Sequence, residues 1–147
     1  ESDIQTRWCR NAALNAMFSA YFAEAKKQGI RVEAEIDLND IEGSGEAALS
    51  LVCANAIENA IHAVSVLPAE ERIIRVRALQ FPKLMFSVSN PYTGSISLDE
   101  NGIPTSTKNG HGIGIRSILA WCEKNDAVCD FKTRDGWFTI RIVQNRA

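Results

Sequence analysis

Apolar residues recur along this chain at spacings that change from helical to extended and back. Between residues 4 and 28 they return at steps of three and four, which predicts an amphipathic helix. Lys26 and Lys27, followed by Gly29, are typical of a helix C-terminus. Residues 30–38 then alternate between apolar and polar side chains, which predicts a half-buried strand.

The middle of the chain predicts a helix and then a hairpin. Ser44 is a residue type favoured at helix N-caps, and the pattern after it predicts a helix to about Leu67, just before Pro68. Residues 73–79 and 83–89 have the composition of two strands. Because only a short turn separates them, we expect a hairpin.

The last third of the chain predicts a long loop, a helix and a second hairpin. Residues 90–110 are rich in Ser, Thr, Asn, Gly and Pro without a sustained period, so we expect a lid or binding loop there, with disorder as the alternative. A helix is predicted over residues 112–124. Strands over residues 128–133 and 137–143 are joined through Asp135-Gly136, a strong hairpin signal.

The order of these elements indicates the fold class. Strands do not alternate regularly with helices, which argues against a doubly wound parallel sheet. We therefore expect an α+β fold of two layers, in which a mixed, mostly antiparallel sheet carries about three helices on one face. At 147 residues the chain fits one domain.

Composition and charge exclude several classes of protein. The chain is 46% hydrophobic and 23% charged with a formal net charge of −2, so no basic field indicates a nucleic-acid partner. No apolar run approaches the ~20 residues that cross a bilayer, and no signal peptide is recognisable.

The four cysteines do not form a C-x-x-C pair, so a zinc site is not favoured. Cys53 and Cys122 are predicted as core residues in a reducing compartment. The chain opens with Glu1, and we expect it to be a fragment of a longer protein.

The helix predicted after Ser44 carries a narrow polar stripe. Its members have the spacing i, i+3, i+4 and i+7, and at ~100° per residue they fall on one side: Asn55, Glu58, Asn59 and His62. The opposite side is apolar: Cys53, Ile57, Ala60, Ile61 and Val64. Asparagine is a poor helix former but offers the neutral oxygen that magnesium accepts. On this helix alone a magnesium site and a solvated face remain equally open.

A glycine-rich segment joins the long loop to the third helix. It comprises Gly110, His111, Gly112, Ile113 and Gly114. Glycine lets backbone N–H groups approach a ligand closely, and a helix N-terminus attracts phosphate. The spacing is neither that of a P-loop nor G-x-G-x-x-G. By itself the segment is weak evidence, and a flexible joint is the alternative.

Together the asparagine helix and the glycine segment resemble the GHKL ATPase superfamily. Within it, the chain is similar to the peptide-sensing sensor histidine kinases of the accessory-gene-regulator type. The resemblance runs through nearly the whole chain and includes the front segments Cys9-Arg-Asn-Ala-Ala-Leu-Asn15 and residues 25–30.

The resemblance implies ATP and Mg²⁺ as cofactors and a role for each matching residue. Asn59 would hold the magnesium, and Asn55 would contact phosphate or metal-bound water. His62 occupies a place where relatives carry a basic residue that reaches phosphate, while Glu58 would orient water or metal. Both retain a structural alternative, a core histidine and a solvent-facing carboxylate. Gly110, Gly112 and Gly114 would cradle the phosphates, with His111 and Ile113 between them.

The chain departs from the superfamily at the adenine end of the site. Most members have Asp-x-Gly-x-Gly where this chain has Ser89-Asn90-Pro91. The peptide-sensing branch similarly shows Asn at this point, so Asn90 would offer its amide to the adenine. An uncharged acceptor binds less strongly than a carboxylate, so weak ATP binding is expected.

The resemblance further implies how the domain would work in a longer protein. It would be the catalytic domain of a membrane-bound sensor kinase, on the cytoplasmic side. It would transfer the γ-phosphoryl of ATP to a histidine on an upstream dimerisation domain, which passes it to a response regulator. Residues 1–28 would lead from that upstream domain, and residues 91–110 would form the ATP lid. No nucleic-acid or membrane contact by this segment is expected.

Two alternatives are compatible with the same residues. One is an anti-sigma-factor-type serine kinase, which shares the fold. The other is a non-catalytic GHKL module whose nucleotide pocket has degenerated and which serves as an interaction scaffold. The absent Asp-x-Gly-x-Gly favours the second alternative, and the intact asparagine pair and glycine segment oppose it.

Overall fold

The computed structural model describes residues 8–38, 46–105 and 111–145. Their elements, in chain order, are α1 (Ala12–Lys27), β1 (Arg31–Asp37), α2 (Glu46–Ser65), β2 (Ile73–Leu79), β3 (Met85–Pro91), α3 (His111–Lys124), β4 (Ala127–Arg134) and β5 (Trp137–Gln144). A short 3-10 turn, Ala69–Glu71, lies between α2 and β2. The predicted N-cap Ser44 lies outside the described residues.

The strands form one sheet in the order β1-β2-β3-β5-β4 within the described part of the chain. β1 pairs with β2 in parallel, and every other neighbouring pair is antiparallel. The parallel pair follows from the chain's path, because α2 connects β1 to β2 as a crossover. The predicted α+β class and the mixed, mostly antiparallel sheet are confirmed.

The core lies between the three helices and one face of this sheet. Strand residues alternate between the two faces, so Ile74, Val76 and Ala78 of β2 are buried while Arg75 and Arg77 are exposed. The predicted apolar side of α2 is buried as well, and Ile57 and Val64 have no exposed surface. Cys53 and Cys122 are 1% and 4% exposed, which confirms them as core residues.

Helix α1 begins later than the sequence pattern predicts. It starts at Ala12 and not at residue 4, because Asn11 caps it by accepting a hydrogen bond from the N–H of Leu14 at 2.9 Å. Asn15 Oδ1 accepts a further bond from the N–H of Trp8 at 2.6 Å. The Trp8 ring packs edge-on against Phe22 with centroids 5.0 Å apart, so the described residues before Ala12 fold back along α1.

The turn signals read from the sequence correspond to turns in the structure. Asp135 and Gly136 have φ angles of 53° and 81°, the left-handed conformation that a two-residue hairpin requires. The segment expected to be a lid without periodic structure contains a small hairpin, in which Leu98 and Pro104 form a bridge. Asp99 Oδ1 stabilises its turn by accepting hydrogen bonds from the N–H groups of Asn101 and Ile103 at 2.8 and 3.0 Å.

No helix among the described residues combines the length and apolar character that a membrane span requires.

Candidate functional site

A cavity of about 440 Å³ opens where α2, the end of β3 and the start of α3 approach one another. The segment that follows β3 contributes one of its walls. Its lining includes Asn59, Ala63, Asn90, Tyr92, Ile96, Thr105, Ile115 and Phe138. The volume falls within the ~300–1,000 Å³ range of small-molecule sites, and apolar walls with a few polar groups are their usual composition.

Asn90 is a polar residue that continues a series of buried apolar positions along β3. On β3 the inward positions Phe86 and Val88 are apolar, and Asn90 is the next inward position, 2% exposed. It is the one buried polar side chain in the described part of the chain. A polar group in such a place is stable only when its hydrogen-bonding atoms find partners.

The amide of Asn90 is only partly satisfied by the protein. Its Nδ2 donates a hydrogen bond to the carbonyl oxygen of Pro91 at 2.9 Å. Because a carbonyl can only accept, this bond fixes the amide with its NH₂ group toward Pro91. Oδ1 is left without a protein partner among the described residues. The lining of the cavity therefore contains a buried acceptor that is suited to a donor on a ligand.

Asn59 supplies the second amide of the cavity. It is half-buried on α2 and lines the cavity together with Ala63, one turn further along the helix, and Val66, which follows the end of α2. The small side chain of Ala63 leaves space in the cavity beside the Asn59 amide. The structure thus brings two of the predicted asparagines, Asn59 and Asn90, to one cavity from two different elements.

The rest of the predicted polar stripe divides between two surfaces of α2. Glu58 and His62 are exposed and line a separate groove between α1 and α2, with Tyr21 and Glu24 on its other side. Asn55 is half-buried one turn before Asn59 and is not among the residues that line the cavity. The four side chains of the predicted stripe therefore do not all line the same cavity in the described structure.

The glycine segment is only partly described. Gly110 lies outside the described residues, and so do the side chains of His111 and Ile113. α3 begins at His111, so Gly112 and Gly114 fall in its first turn. A side chain at Gly114 would meet no atom within 4 Å, so the space beside it is open. Ile115, the next residue, lines the cavity, which places the N-terminal turn of α3 beside it.

Phe138 lines the cavity although the sequence analysis did not single it out, whereas Tyr92 belongs to the predicted lid, residues 91–110. Phe138 lies opposite Asn90 in the β3–β5 ladder and is an inward position of β5. Tyr92 is held at the cavity by its N–H, which donates to the carbonyl of Gly136 at 3.1 Å. An aromatic residue at an inward strand position reads as ordinary core in a sequence, so no signal distinguishes Phe138.

Residues 46–144 match the family described as "GHKL domain". Three solved structures resemble the whole fold. The catalytic domain of histidine kinase ThkA, in a nucleotide-free form, superposes with a TM-score of 0.66 at 18% identity, covering 90% of this chain and 88% of that one. The cytoplasmic segment of histidine kinase QseC gives 0.60 at 14%, covering 92% and 74%.

The third structure is the histidine kinase domain of a blue-light activated histidine kinase from Erythrobacter litoralis. It has a TM-score of 0.66 at 17% identity and covers 89% of this chain and 58% of that chain. Such identities show a shared fold and do not transfer an activity. A search of the curated proteins finds no match.

Proposed function

Since the chain belongs to the GHKL domain family, we propose that it is the ATP-binding catalytic domain of a sensor histidine kinase. One observation supports the proposal most directly. Asn90 offers a buried, unpartnered acceptor to a cavity whose lining also includes the amide of Asn59. A cavity that combines apolar surface with two amide side chains suits a nucleotide better than it suits a purely apolar ligand.

Asn90 would read the adenine ring. Oδ1 would accept a hydrogen bond from the exocyclic amino group, and guanine, which has a carbonyl there, offers no donor to it. Phe138 and Ile115 supply apolar surface to the same cavity. The Asn90 amide keeps its bond to Pro91 throughout, so binding would not require it to turn over.

Asn59 and the start of α3 would serve the phosphate end. An amide oxygen fits a magnesium ion that retains phosphate and water as its other ligands. Among the described residues no group of three or more His, Cys, Asp and Glu side chains could hold a metal. Asn59 is therefore the residue that we propose would hold the ion. Magnesium, when bound, neutralises charge that develops as the γ-phosphoryl leaves. The N-terminal turn of α3 adds N–H donors and the positive end of a helix dipole.

The remaining roles follow from the resemblance and are part of the same proposal. Asn55 would contact phosphate or metal-bound water, and Gly110 to Gly114 would form the phosphate cradle. Glu58 and His62 are left out, because they line the groove between α1 and α2. Asn90-Pro91 and the segment from Cys9 to Asn15 support membership of the peptide-sensing branch.

In that branch the domain would act on partners. We propose that it phosphorylates a histidine on a dimerisation domain of the same protein, in the cytoplasm, and that a response regulator receives the phosphoryl group. The degenerate scaffold is the weaker proposal. An unpaired buried acceptor lowers the stability of the folded chain, and an apolar residue at this position would make the chain more stable. A pocket that no longer binds a nucleotide would not require Asn90.

A binding experiment tests the proposal. Heat-detected titration with ATP and Mg²⁺, together with the melting temperature at millimolar nucleotide, should show binding and stabilisation, because any ligand of the folded state raises its stability. GTP should do so much less. This chain alone should acquire no acid-labile phosphate from radiolabelled ATP. If millimolar ATP–Mg²⁺ gave neither heat nor a shift in melting temperature, the nucleotide assignment would fail.

A further inference from the structure

The sheet face turned away from the helices is not covered by the described residues and carries ordered rows of polar side chains. Strand pairing defines one row across all five strands, which runs Glu33, Arg75, Ser89, Thr139 and Lys132. Arg75 and Lys132 are exposed, and the two hydroxyl residues between them are half-buried. We refer to this surface as the outer face.

A hollow of about 310 Å³ lies on the outer face above this row. It is lined by three cationic side chains, two hydroxyl groups and an aromatic ring: Arg75, Lys132, Arg134, Ser89, Thr139 and Trp137. Asp135 is the one acidic residue of the lining. The hollow is therefore positive in a chain whose formal net charge is −2. Such a local reversal of sign indicates an anionic ligand.

The floor of the hollow is a pair of hydroxyl groups. Ser89 and Thr139 lie directly opposite each other on β3 and β5, and their oxygen atoms are 2.7 Å apart. One hydroxyl donates to the other, so the pair still has one hydrogen to offer upward. Arg75 and Lys132 stand three strand spacings apart, roughly 14 Å between backbones. Both side chains are long enough to reach an anionic group resting on the hydroxyl pair.

The Arg75 guanidinium is held in place for such a contact. Its Nε donates to Glu33 Oε1 at 2.9 Å, and its Cζ lies 4.2 Å from the centroid of the Trp137 ring. The terminal nitrogen atoms have no partner among the described residues. A cation fixed from two sides loses less side-chain entropy when it binds an anion than a mobile one does.

We propose that this hollow is a docking site for an acidic segment of a partner protein, which places a carboxylate on the Ser89–Thr139 pair. A free small anion fits less well. The Arg75 and Arg134 side chains are 54% and 91% exposed, and single ion pairs at such exposure contribute little in water. Several carboxylates on one segment would engage the three cations together.

An anionic membrane also fits less well. Glu33, Glu35 and Asp130 stand on the same face, beside the cations, and would be driven against lipid phosphates by a flat anionic surface. A protein segment can instead place its carboxylates next to the cations and away from these acidic side chains.

The hollow and the nucleotide cavity lie on opposite faces of the sheet, since Ser89 and Asn90 are neighbours on β3 that point in opposite directions. A partner docked here would leave the nucleotide cavity accessible.

The test follows amide signals of the isotope-labelled chain by NMR while an oligoglutamate peptide is added. The signals of Ser89, Thr139 and the Trp137 indole should shift in a saturable way, and added salt should weaken the binding. Reversing two cations, Lys132→Glu with Arg134→Glu, should weaken it about tenfold or more. The matched control, Lys83→Glu with Lys124→Glu, makes the same change in net charge at exposed positions outside the hollow and should leave binding within about twofold.

Three results would overturn the proposal. The first is equal weakening by both double variants, which would mean a response to net charge alone. The second is an equal shift of the same signals by inorganic phosphate at matched charge concentration, which would make the hollow a small-anion site. The third is that the chain binds phosphatidylserine vesicles but not the peptide, and that the Lys132→Glu, Arg134→Glu variant no longer binds the vesicles. This result would indicate a membrane-binding surface. None of these bears on ATP binding.

Discussion

Asn90 lies directly opposite Phe138 in the antiparallel ladder between β3 and β5, and both side chains line the same cavity. The pair presents a buried amide oxygen beside an aromatic ring, each less than a tenth exposed. A planar base seated there would meet a hydrogen-bond acceptor at its edge and apolar surface around it. This relationship gives the nucleotide proposal its most direct tests.

Replacing Asn90 should change ligand affinity and stability in separable ways. Asn90→Ala should weaken ATP binding by about fivefold, since one hydrogen bond contributes about 1 kcal/mol net. Asn90→Asp should strengthen it, because a carboxylate accepts more strongly. The carboxylate cannot donate to Pro91, so Asn90→Asp should also lower the free energy of unfolding by about 1–3 kcal/mol.

Calorimetric titration with ATP–Mg²⁺ measures the first effect, and urea denaturation without nucleotide measures the second. Asn125→Ala is the matched control, because its amide also donates to a backbone carbonyl, that of Trp121, but does not line the cavity. Unchanged ATP affinity in Asn90→Ala would place the base elsewhere.

Asn59→Ala should remove the part of ATP affinity that depends on magnesium. The dissociation constant is measured for the unchanged chain and the variant, with Mg²⁺ and with chelator. The unchanged chain should bind more tightly with Mg²⁺, and the variant should show a much smaller difference, because an oxygen ligand is lost. The exposed Asn145→Ala should behave like the unchanged chain. If Mg²⁺ tightened ATP binding by Asn59→Ala as much as it does for the unchanged chain, Asn59 would not be a magnesium ligand.

Burial on α2 predicts a large contrast between two positions of the same helix. Ile57 has no exposed surface, so Ile57→Ala should lower the free energy of unfolding by about 2–5 kcal/mol. Leu51 is 61% exposed, and Leu51→Ala should stay within about 0.5 kcal/mol. Denaturant midpoints at constant slope measure both. Similar losses at the two positions would mean that the described packing of α2 is wrong.

The buried thiol of Cys53 predicts a loss of stability at alkaline pH. Burial, with a smaller contribution from Cys9, raises the pKa of Cys53 far above its ordinary value of 9.0. Above that ordinary value the unfolded chain releases a proton that the folded chain keeps, so the free energy of unfolding falls as pH rises. The fall attributable to this thiol approaches about 1.4 kcal/mol per pH unit.

Urea denaturation at several pH values above 9 measures this fall in the unchanged chain and in Cys53→Ala. Other groups titrate in the same range, so the comparison between the two proteins isolates the thiol. The decline should be shallower in Cys53→Ala. Equal slopes would mean that the thiol ionises as readily in the folded chain as in the unfolded one.

The elements of this protein were largely determined by local sequence. Periodicity places α2, β2 and the last hairpin within a few residues of their observed bounds, because burial on one face forces apolar residues into a helical or alternating spacing. The Asp135-Gly136 turn is read correctly, since few residue types tolerate its positive φ angles. The start of α1 was misplaced, because the helical spacing of apolar residues was extended past Asn11, which caps the helix, to residues that fold back so that Trp8 packs on Phe22.

The tertiary structure decided which polar residues share a ligand. Asn59 and His62 belong to one stripe in sequence, but they stand about 60° apart around α2. Because α1 packs on one side of α2 and the end of β3 lies on the other, His62 lines the groove between α1 and α2, whereas Asn59 lines the cavity. Phe138 meets Asn90, and Lys132 meets the Ser89–Thr139 pair, only through strand register. A sequence fixes the direction of each side chain within its own element, whereas the contents of a cavity depend on how distant elements pack.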